Sequence, residues 1–316
     1  MKSIFKGLII AVIAGFFLAA CSSDDDNAAK EKKNTEEEPL KVVTTFSILD
    51  DMVSQIGGDL VEVHNLVPIG TDPHEYEPLP EDIKAATDAD ALFYNGVNLE
   101  GGDSGWFAKL VDSVGKEDDV IFETAKDVEP MYVSDEDGTK EENPHAFLDP
   151  VVGIQMAEAI RDAFIEIDPD HQADYEENAD TYLETLKDIE ETYKEQIADI
   201  PEENRILITS ERAYQYLADR YGLKEGYIWA VDTEENGTPE QITSLVEFIE
   251  ENEPPILFVE SNVDTRPMET VSKETGVDIF EAPLFSDEIG KQGEEGDTYV
   301  KYLEYNIEKI HDGLTE

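Results

Sequence analysis

Four segments carry side chains that could hold a cation: Gly70-Thr71-Asp72-Pro73-His74-Glu75-Tyr76, Asn143-Pro144-His145-Ala146, Ser210-Glu211 and Phe285-Ser286-Asp287. His74 and His145 each follow a proline, whose fixed torsion restricts the turn and so helps set where the imidazole points. Two neutral imidazoles and two carboxylates form a mixed nitrogen–oxygen donor set. Each carboxylate binds through one or two oxygens, so the set supports four- to six-coordination, and its two negative charges balance a divalent ion. Taken singly, each donor has a plainer reading. A histidine after proline in a loop is more often a surface residue, and among 76 acids any one Glu or Asp carries little weight. Spacing alone leaves both readings open. His64, within a strand-like run, and His171 and His311, on helical segments with polar neighbours, read as structural or exposed.

These loops need elements to position them, and the chain supplies an alternation of strand and helix patterns. Val42–Phe46, Val61–Val67 and Ala91–Tyr94 read as strands, with helical segments ending at Gly57-Gly58 and covering Glu81–Ala86. A longer helix fits Val151–Ile167. Asp168-Pro169 then offers an N-cap and a first-turn proline. Beyond it, Tyr175, Ala179, Tyr182, Leu186, Ile189, Tyr193 and Ile197 recur every three or four residues up to Pro201. About thirty residues of helix span roughly 45 Å, longer than the core of a small domain needs, so this segment reads as a spine. Alternation resumes with strands at Arg205–Thr209, Tyr227–Val231 and Ile256–Val259 and helices at Ala213–Tyr221, Pro239–Glu251 and Thr298 to about His311. The expected fold class is α/β: two lobes with mainly parallel sheets joined by one long linker helix. The boundaries are 40–168 for the N-terminal lobe, 169–200 for the helix and 201–316 for the C-terminal lobe. In such sheets ligands sit at the carboxyl ends of the strands, which is where the four donor segments fall.

The charge balance narrows the partners. With 23 basic against 76 acidic residues the formal charge is −53, which excludes nucleic acid as the main partner, because phosphate binding needs a surplus of Lys and Arg. Broad docking on anionic lipid is disfavoured for the same reason. At 40% hydrophobic and 9% aromatic residues the chain has the means to build a sizeable core.

The first twenty residues differ from the rest. Lys2 and Lys6 precede an apolar run from Leu8 to Ala20, short for a transmembrane helix and suited to a signal peptide. It ends in Leu18-Ala19-Ala20-Cys21, which looks like a bacterial lipobox, where the cysteine thiol receives a diacylglycerol and becomes the new N-terminus. Cys21 is the only cysteine in the chain, so internal disulfides and cysteine metal sites are excluded. Residues 21–39 read as a polar, lipidated tether. The expected location is the outer face of the bacterial cytoplasmic membrane, held by lipid alone.

At the donor segments the chain resembles the metal-binding lipoproteins of bacterial ABC importers, which capture manganese, zinc or iron outside the membrane. The resemblance covers nearly all of the body after Leu40. It is carried by Val67-Pro68-Ile69-Gly70-Thr71-Asp72-Pro73-His74-Glu75-Tyr76-Glu77-Pro78, by Asn143-Pro144-His145, by the stretch from Val259-Glu260-Ser261-Asn262 to Glu269-Thr270, and by Gly296-Asp297-Thr298-Tyr299. It implies two α/β lobes, a rigid linker helix and one metal between them, held by His74, His145, Glu211 and Asp287. Zinc members typically have a histidine where Glu211 stands, and a His/acid-rich loop where Met131–Glu142 is acidic without histidine; both differences favour Mn2+ as the transported ligand, with Zn2+ or Fe2+ as alternatives. Two residues depart from the family pattern. Arg212 stands where a small residue is expected and could crowd Glu211, and Phe147 stands where tryptophan is common.

The expected function is capture of the metal and delivery to an ABC permease by a monomer, without covalent chemistry. Two other classes stay in view. A metal-dependent hydrolase or oxygenase would need an open coordination position and a separate acid or base, and the chain has no HExxH, P-loop or GxSxG segment. A surface adhesin would use the metal only to stabilise its fold.

Overall fold

The β-branched run Val42-Val43-Thr44 lies inside β1 (Leu40–Thr44), the hub of a four-stranded sheet. A computed structural model of the chain describes residues 38–134, 140–231 and 237–315. Cys21, the expected signal segment 1–20 and residues 21–37 of the tether lie outside the described residues. β2 (Val61–Asn65), β3 (Ala91–Tyr94) and β4 (Ile121–Glu123) complete the sheet in the order β2-β1-β3-β4, with every pair parallel. Parallel neighbours need crossover connections. These contain α1 (Ser47–Gly57), α2 (Pro80–Asp88) and α3 (Trp106–Val114), the last of which the sequence reading did not place. From β1 the chain steps to one side for β2 and to the other for β3, so the loops diverge at the carboxyl ends of β1 and β3 and leave a crevice there.

A small antiparallel hairpin of β5 (Tyr132–Ser134) and β6 (Lys140–Glu142) leads directly into Asn143. α4 (Pro150–Ile167) follows, its first turn capped by the Asp149 carboxylate, which accepts the Val151 N–H at 3.0 Å.

The spine is α5 (Gln172–Asp199), whose 28 residues span about 42 Å. Its buried stripe is the expected one, Tyr175, Ala179, Tyr182, Leu186, Ile189, Tyr193 and Ile197, with Leu183 added. The expected N-cap differs. Pro169–His171 forms a 3-10 turn, and the Asp168 carboxylate instead accepts the Tyr175 hydroxyl at 2.9 Å and pairs with His171 Nδ1 at 2.7 Å. Both of those side-chain partners meet Asp168 Oδ2.

The C-terminal part carries β7 (Ile206–Glu211), buried along its whole length, paired in parallel with β8 (Lys224–Trp229). Between them α6 (Gln215–Tyr221) is closed by Gly222 at φ 75°, a left-handed position that glycine takes without strain. α7 (Pro239–Asn252) starts in a capping box: Thr238 Oγ1 accepts the Gln241 N–H, and Gln241 Oε1 accepts the Thr238 N–H. α8 (Arg266–Thr275) and α9 (Tyr299–Thr315) complete the helices. The expected strand at Ile256–Val259 runs beside β7, where the Phe258 N–H donates to Ile208 O at 2.9 Å. It makes only isolated parallel bridges, Leu257 with Ile279 and Glu260 with Leu284. Pro254 and Pro255 before it and Pro283 across from it lack the N–H groups that a longer ladder requires.

α5 packs against α1 and α4, which belong to the first sheet, and against α6 and α9, which belong to the C-terminal part. One hydrophobic core accordingly runs from Val42 and Phe93 through Leu186 and Tyr193 to Tyr214 and Ile307. A second cluster, including Ile208, Trp229, Leu245 and Val271, lies wholly in the C-terminal part. The two parts thus share the long helix and much of one core.

Candidate metal centre

The loop after β2 is fastened before it reaches His74. Asp72 Oδ1 accepts the His74 N–H at 2.7 Å, and the Trp106 indole N–H donates to Pro73 O at 2.8 Å. Tyr76 stands edge-on to Trp106 and donates its hydroxyl to Asp82, which also accepts the Leu79 N–H at the start of α2 and meets His64 Nε2 at 2.9 Å. These contacts hold the His74 imidazole almost fully buried.

His145 opens the 3-10 turn His145–Leu148 next to the crevice at β1 and β3. Asn95, just past β3, donates its amide to Pro144 O at 3.2 Å. The buried Glu100 carboxylate accepts the Thr45 hydroxyl and the backbone N–H groups of Asn95 and Gly96, tying the ends of β1 and β3 together. Burial pushes the Glu100 carboxyl up to about 7, against those hydrogen bonds. Asn143 Oδ1 accepts from the His145 backbone N–H at 3.1 Å and from Nδ1 of its ring at 2.8 Å.

Glu211 is the last residue of β7, fully buried. Its N–H and that of Ser210 donate to the two oxygens of Glu260 at 3.0 and 3.1 Å. Asp287 is held by Asn262, whose amide donates to Oδ2 at 2.9 Å and whose Oδ1 accepts the Ser286 hydroxyl. The Tyr302 hydroxyl donates to Ser286 O, the Tyr214 hydroxyl to Phe285 O, and Asn306 brackets the Phe285 backbone. With Oδ2 so engaged, Oδ1 faces the site.

The four side chains converge. His145 Nε2 lies 3.0 Å from Asp287 Oδ1 and 3.7 Å from Glu211 Oε1, and His74 Nε2 lies 3.9 Å from Asp287 Oδ1. The imidazoles of His74 and His145 stand 5.2 Å apart at 62°, and donor atoms of His74, His145 and Glu211 all lie within 4.8 Å of one another. Nε2 of both histidines and Oδ1 of Asp287 are buried without a hydrogen bond among the described residues, an arrangement that is costly unless a cation completes it. An ion about 2.1 Å from each donor places neighbouring donors about 3.0 Å apart when octahedral and about 3.4 Å when tetrahedral. The His145–Asp287 separation matches, and the 3.7 and 3.9 Å pairs are longer, so those donors would draw in toward a shared ion.

Burial lowers the proton affinity of His74, with Asp287 opposing. For Asp287 burial acts to raise the carboxyl, but the neighbouring His145, with help from His74 and the Asn262 amide, outweighs it and holds the group well below the usual carboxylate range. The site therefore favours neutral His74 and ionised Asp287, the forms that coordinate metal.

Arg212 does not crowd the site. Its guanidinium pairs with Glu225 Oε2 at 3.1 Å and lies over the Tyr227 ring, on β8. Phe147 packs against Phe46 and stands edge-on to His145. His64, His171 and His311 lie apart from the cluster, paired with Asp82, Asp168 and Asp199. Sequence reasoning did not single out Glu100, Glu260, Asn262 or Gln215. Glu260 and Asn262 lie in a stretch that carried the family resemblance, which was their one signal.

The model of the family described as zinc-uptake complex component A, periplasmic, matches residues 42–313. The chain belongs to this zinc-uptake component A family. It is 46% identical over 278 residues to a metal ABC transporter substrate-binding lipoprotein, SsaB, of Streptococcus sanguinis, covering 88% of this chain and 90% of the relative. It is 45% identical to the manganese ABC transporter substrate-binding lipoprotein PsaA of Streptococcus pneumoniae, covering 88% and 89%. Among solved structures, the Mn-bound periplasmic metal binding protein from Candidatus Liberibacter asiaticus superposes with a TM-score of 0.76 at 29% identity, covering 86% of this chain and 98% of that one. The periplasmic zinc binding protein TroA from Treponema pallidum gives a TM-score of 0.79 at 24% identity, covering 88% and 100%, a likeness of fold alone. The zinc-uptake component A family thus accounts for the α/β architecture with its long helix.

Proposed function

We propose that this protein is the extracytoplasmic substrate-binding lipoprotein of a metal ABC importer and that it captures Mn2+ for delivery to the permease. The observation that carries the reading is the approach of His74, His145, Glu211 and Asp287 to one another in a buried site, with Nε2 of both histidines and Oδ1 of Asp287 left without hydrogen bonds among the described residues. Relatives at 44–46% identity that are named for manganese or metal import support it. His74 and His145 come from the 40–168 part, and Glu211 and Asp287 from the 201–316 part, so the ion bridges both. Cys21 would carry the lipid that holds the protein at the outer face of the cytoplasmic membrane. No described helix is long and apolar enough to cross a membrane.

The protein acts as a binder and not as a catalyst. Its family serves transport, and the four donors surround the ion in a buried site, where a hydrolase needs an open position for substrate. It works as a monomer, because one chain supplies all four ligands. By the Irving–Williams order Zn2+ binds such donors at least as tightly as Mn2+, so use of Mn2+ rests on coordination number, ease of release and metal supply. Two carboxylates able to chelate suit an ion that accepts more than four donors, whereas Zn2+ in four-coordination would be held and released slowly. Competition between the two ions on the purified mature protein tests this: Mn2+ should exchange readily with a chelator and Zn2+ slowly. Freely exchanging Zn2+ with no Mn2+ binding would reassign the protein to zinc.

A further inference from the structure

We propose that Gln215 is a positioning residue for metal capture: through the Asn143 amide it holds the His145 ring so that Nε2 faces the other donors. The inference rests on His145 being a ligand, as proposed above.

An asparagine amide can be turned over by 180°, and its neighbours decide which way it sits. Asn143 Nδ2 donates to Arg212 O and to Gln215 Oε1, each at 2.9 Å. Asn143 Oδ1 is thereby left toward His145, where it takes the backbone N–H and the Nδ1–H of the ring. Turned over, the amide would set N–H against N–H at His145 and oxygen against oxygen at Arg212. Gln215 is itself fixed, because its Nε2 donates to Tyr132 O at 3.3 Å and so its Oε1 faces Asn143. With Nδ1 of His145 committed as a donor, the neutral ring keeps its lone pair on Nε2, 3.0 Å from Asp287 Oδ1. Asn143 and His145 are fully buried and Gln215 nearly so.

Arg212 follows Glu211 directly and Gln215 lies four residues beyond Glu211, so the segment that bears one proposed ligand also clamps another from the opposite part of the chain. Displacing the start of α6 from the His145 turn would take the Gln215 acceptor away from the Asn143 amide. Outer contacts of this kind typically alter metal affinity 10- to 100-fold. Arg212 O still holds Asn143 when Gln215 is replaced, so the effect belongs at the lower end.

The test compares Gln215→Met, which removes the acceptor at similar volume, with Gln215→Glu, which keeps an oxygen toward Asn143. Both are made in the mature protein, and circular dichroism checks the fold. Mn2+ titration gives Kd, and long-range 15N NMR of the metal-free protein at alkaline pH reads the His145 tautomer. The expected result is a roughly tenfold higher Kd and a mixture of tautomers for Gln215→Met, with Gln215→Glu retaining the Nδ1–H form and a Kd closer to wild type. Wild-type Kd and tautomer in Gln215→Met would overturn the proposal. So would equal loss of affinity in both variants with the tautomer unchanged, which marks a packing role. A tautomer change in a protein whose wild type binds no Mn2+ would support the positioning contact and overturn the functional reading instead.

Discussion

Nε2 of His145 and Oδ1 of Asp287 face each other at 3.0 Å, both buried, from opposite parts of the chain. Asn143 Oδ1 accepts a hydrogen bond from Nδ1–H of the His145 ring, so in the neutral ring both facing atoms carry lone pairs, and the contact is favourable only with positive charge between them. A metal ion between them supplies it.

Replacing Asp287 with Asn keeps the volume but removes a ligand and one of the two charges that balance the ion. Mn2+ Kd should rise by more than about 100-fold, beyond the range of an outer contact, while circular dichroism of the metal-free protein stays unchanged. Binding within about tenfold of wild type would remove Asp287 from the ligand set.

Arg212 should matter little to metal. Because its guanidinium is spent on Glu225 and Tyr227, Arg212→Ala is expected to leave Mn2+ Kd within about threefold, since the Arg212 carbonyl that holds Asn143 remains. Loss of the partly exposed ion pair and ring contact should cost about 1 kcal/mol of stability by urea titration. A large change in affinity would place the side chain nearer the ion than its contacts on β8 allow.

Glu100 gives a pH dependence whose sign follows from burial. Its carboxyl is raised from 4.5 to about 7 in the folded protein. Between those values the folded state keeps a proton that the unfolded chain has lost. Its contribution is therefore full below pH 4.5 and lost as pH rises through 7, a fall of about 3 kcal/mol. Denaturant unfolding of metal-free Glu100→Gln should show a flatter decline over this window than wild type; identical slopes would mean that Glu100 is ionised when folded.

The shared core predicts that the two parts unfold together. Trp106 packs in the core that runs through α5, and Trp229 in the C-terminal cluster. They are the only two tryptophans, so single-tryptophan variants report each part separately. Leu186→Ala, in the buried stripe of α5, should destabilise by about 2–5 kcal/mol and shift both midpoints equally. Separate midpoints would show that the lobes expected from the sequence fold independently.

Periodic features were legible in the sequence. Three of the four strands of the first sheet, the α5 stripe and the stop at Gly222 each repeat or end in a pattern one residue type can signal, whereas β4 is only three residues long. The four proposed donors were legible in loops next to strand and helix patterns, and the family resemblance points to the same four residues. What escaped has no local signature. α8 buries only Met268 and Val271, too few to show a helical stripe. Ile256–Val259 looks like a strand by composition, but the prolines around it limit the ladder. Glu260 and Asn262 act on Glu211 and Asp287 across 49 and 25 residues of sequence, and Gln215 acts on Asn143 across 72. Such contacts exist only once the chain is folded. The charge of −53 was informative in another sense: among the described acids, Glu211 and Asp287 are the two proposed to meet the ion.

The central claim is that one Mn2+ occupies the point where His74, His145, Glu211 and Asp287 meet. The most direct measurement is the metal content and coordination of mature protein loaded with Mn2+ and freed of excess, by elemental analysis with electron paramagnetic resonance. The account predicts one Mn2+ per chain with two imidazole nitrogens bound, and loss of that signal in Asp287→Asn. Mn2+ retained without nitrogen ligation, or retained equally in the variant, would contradict it.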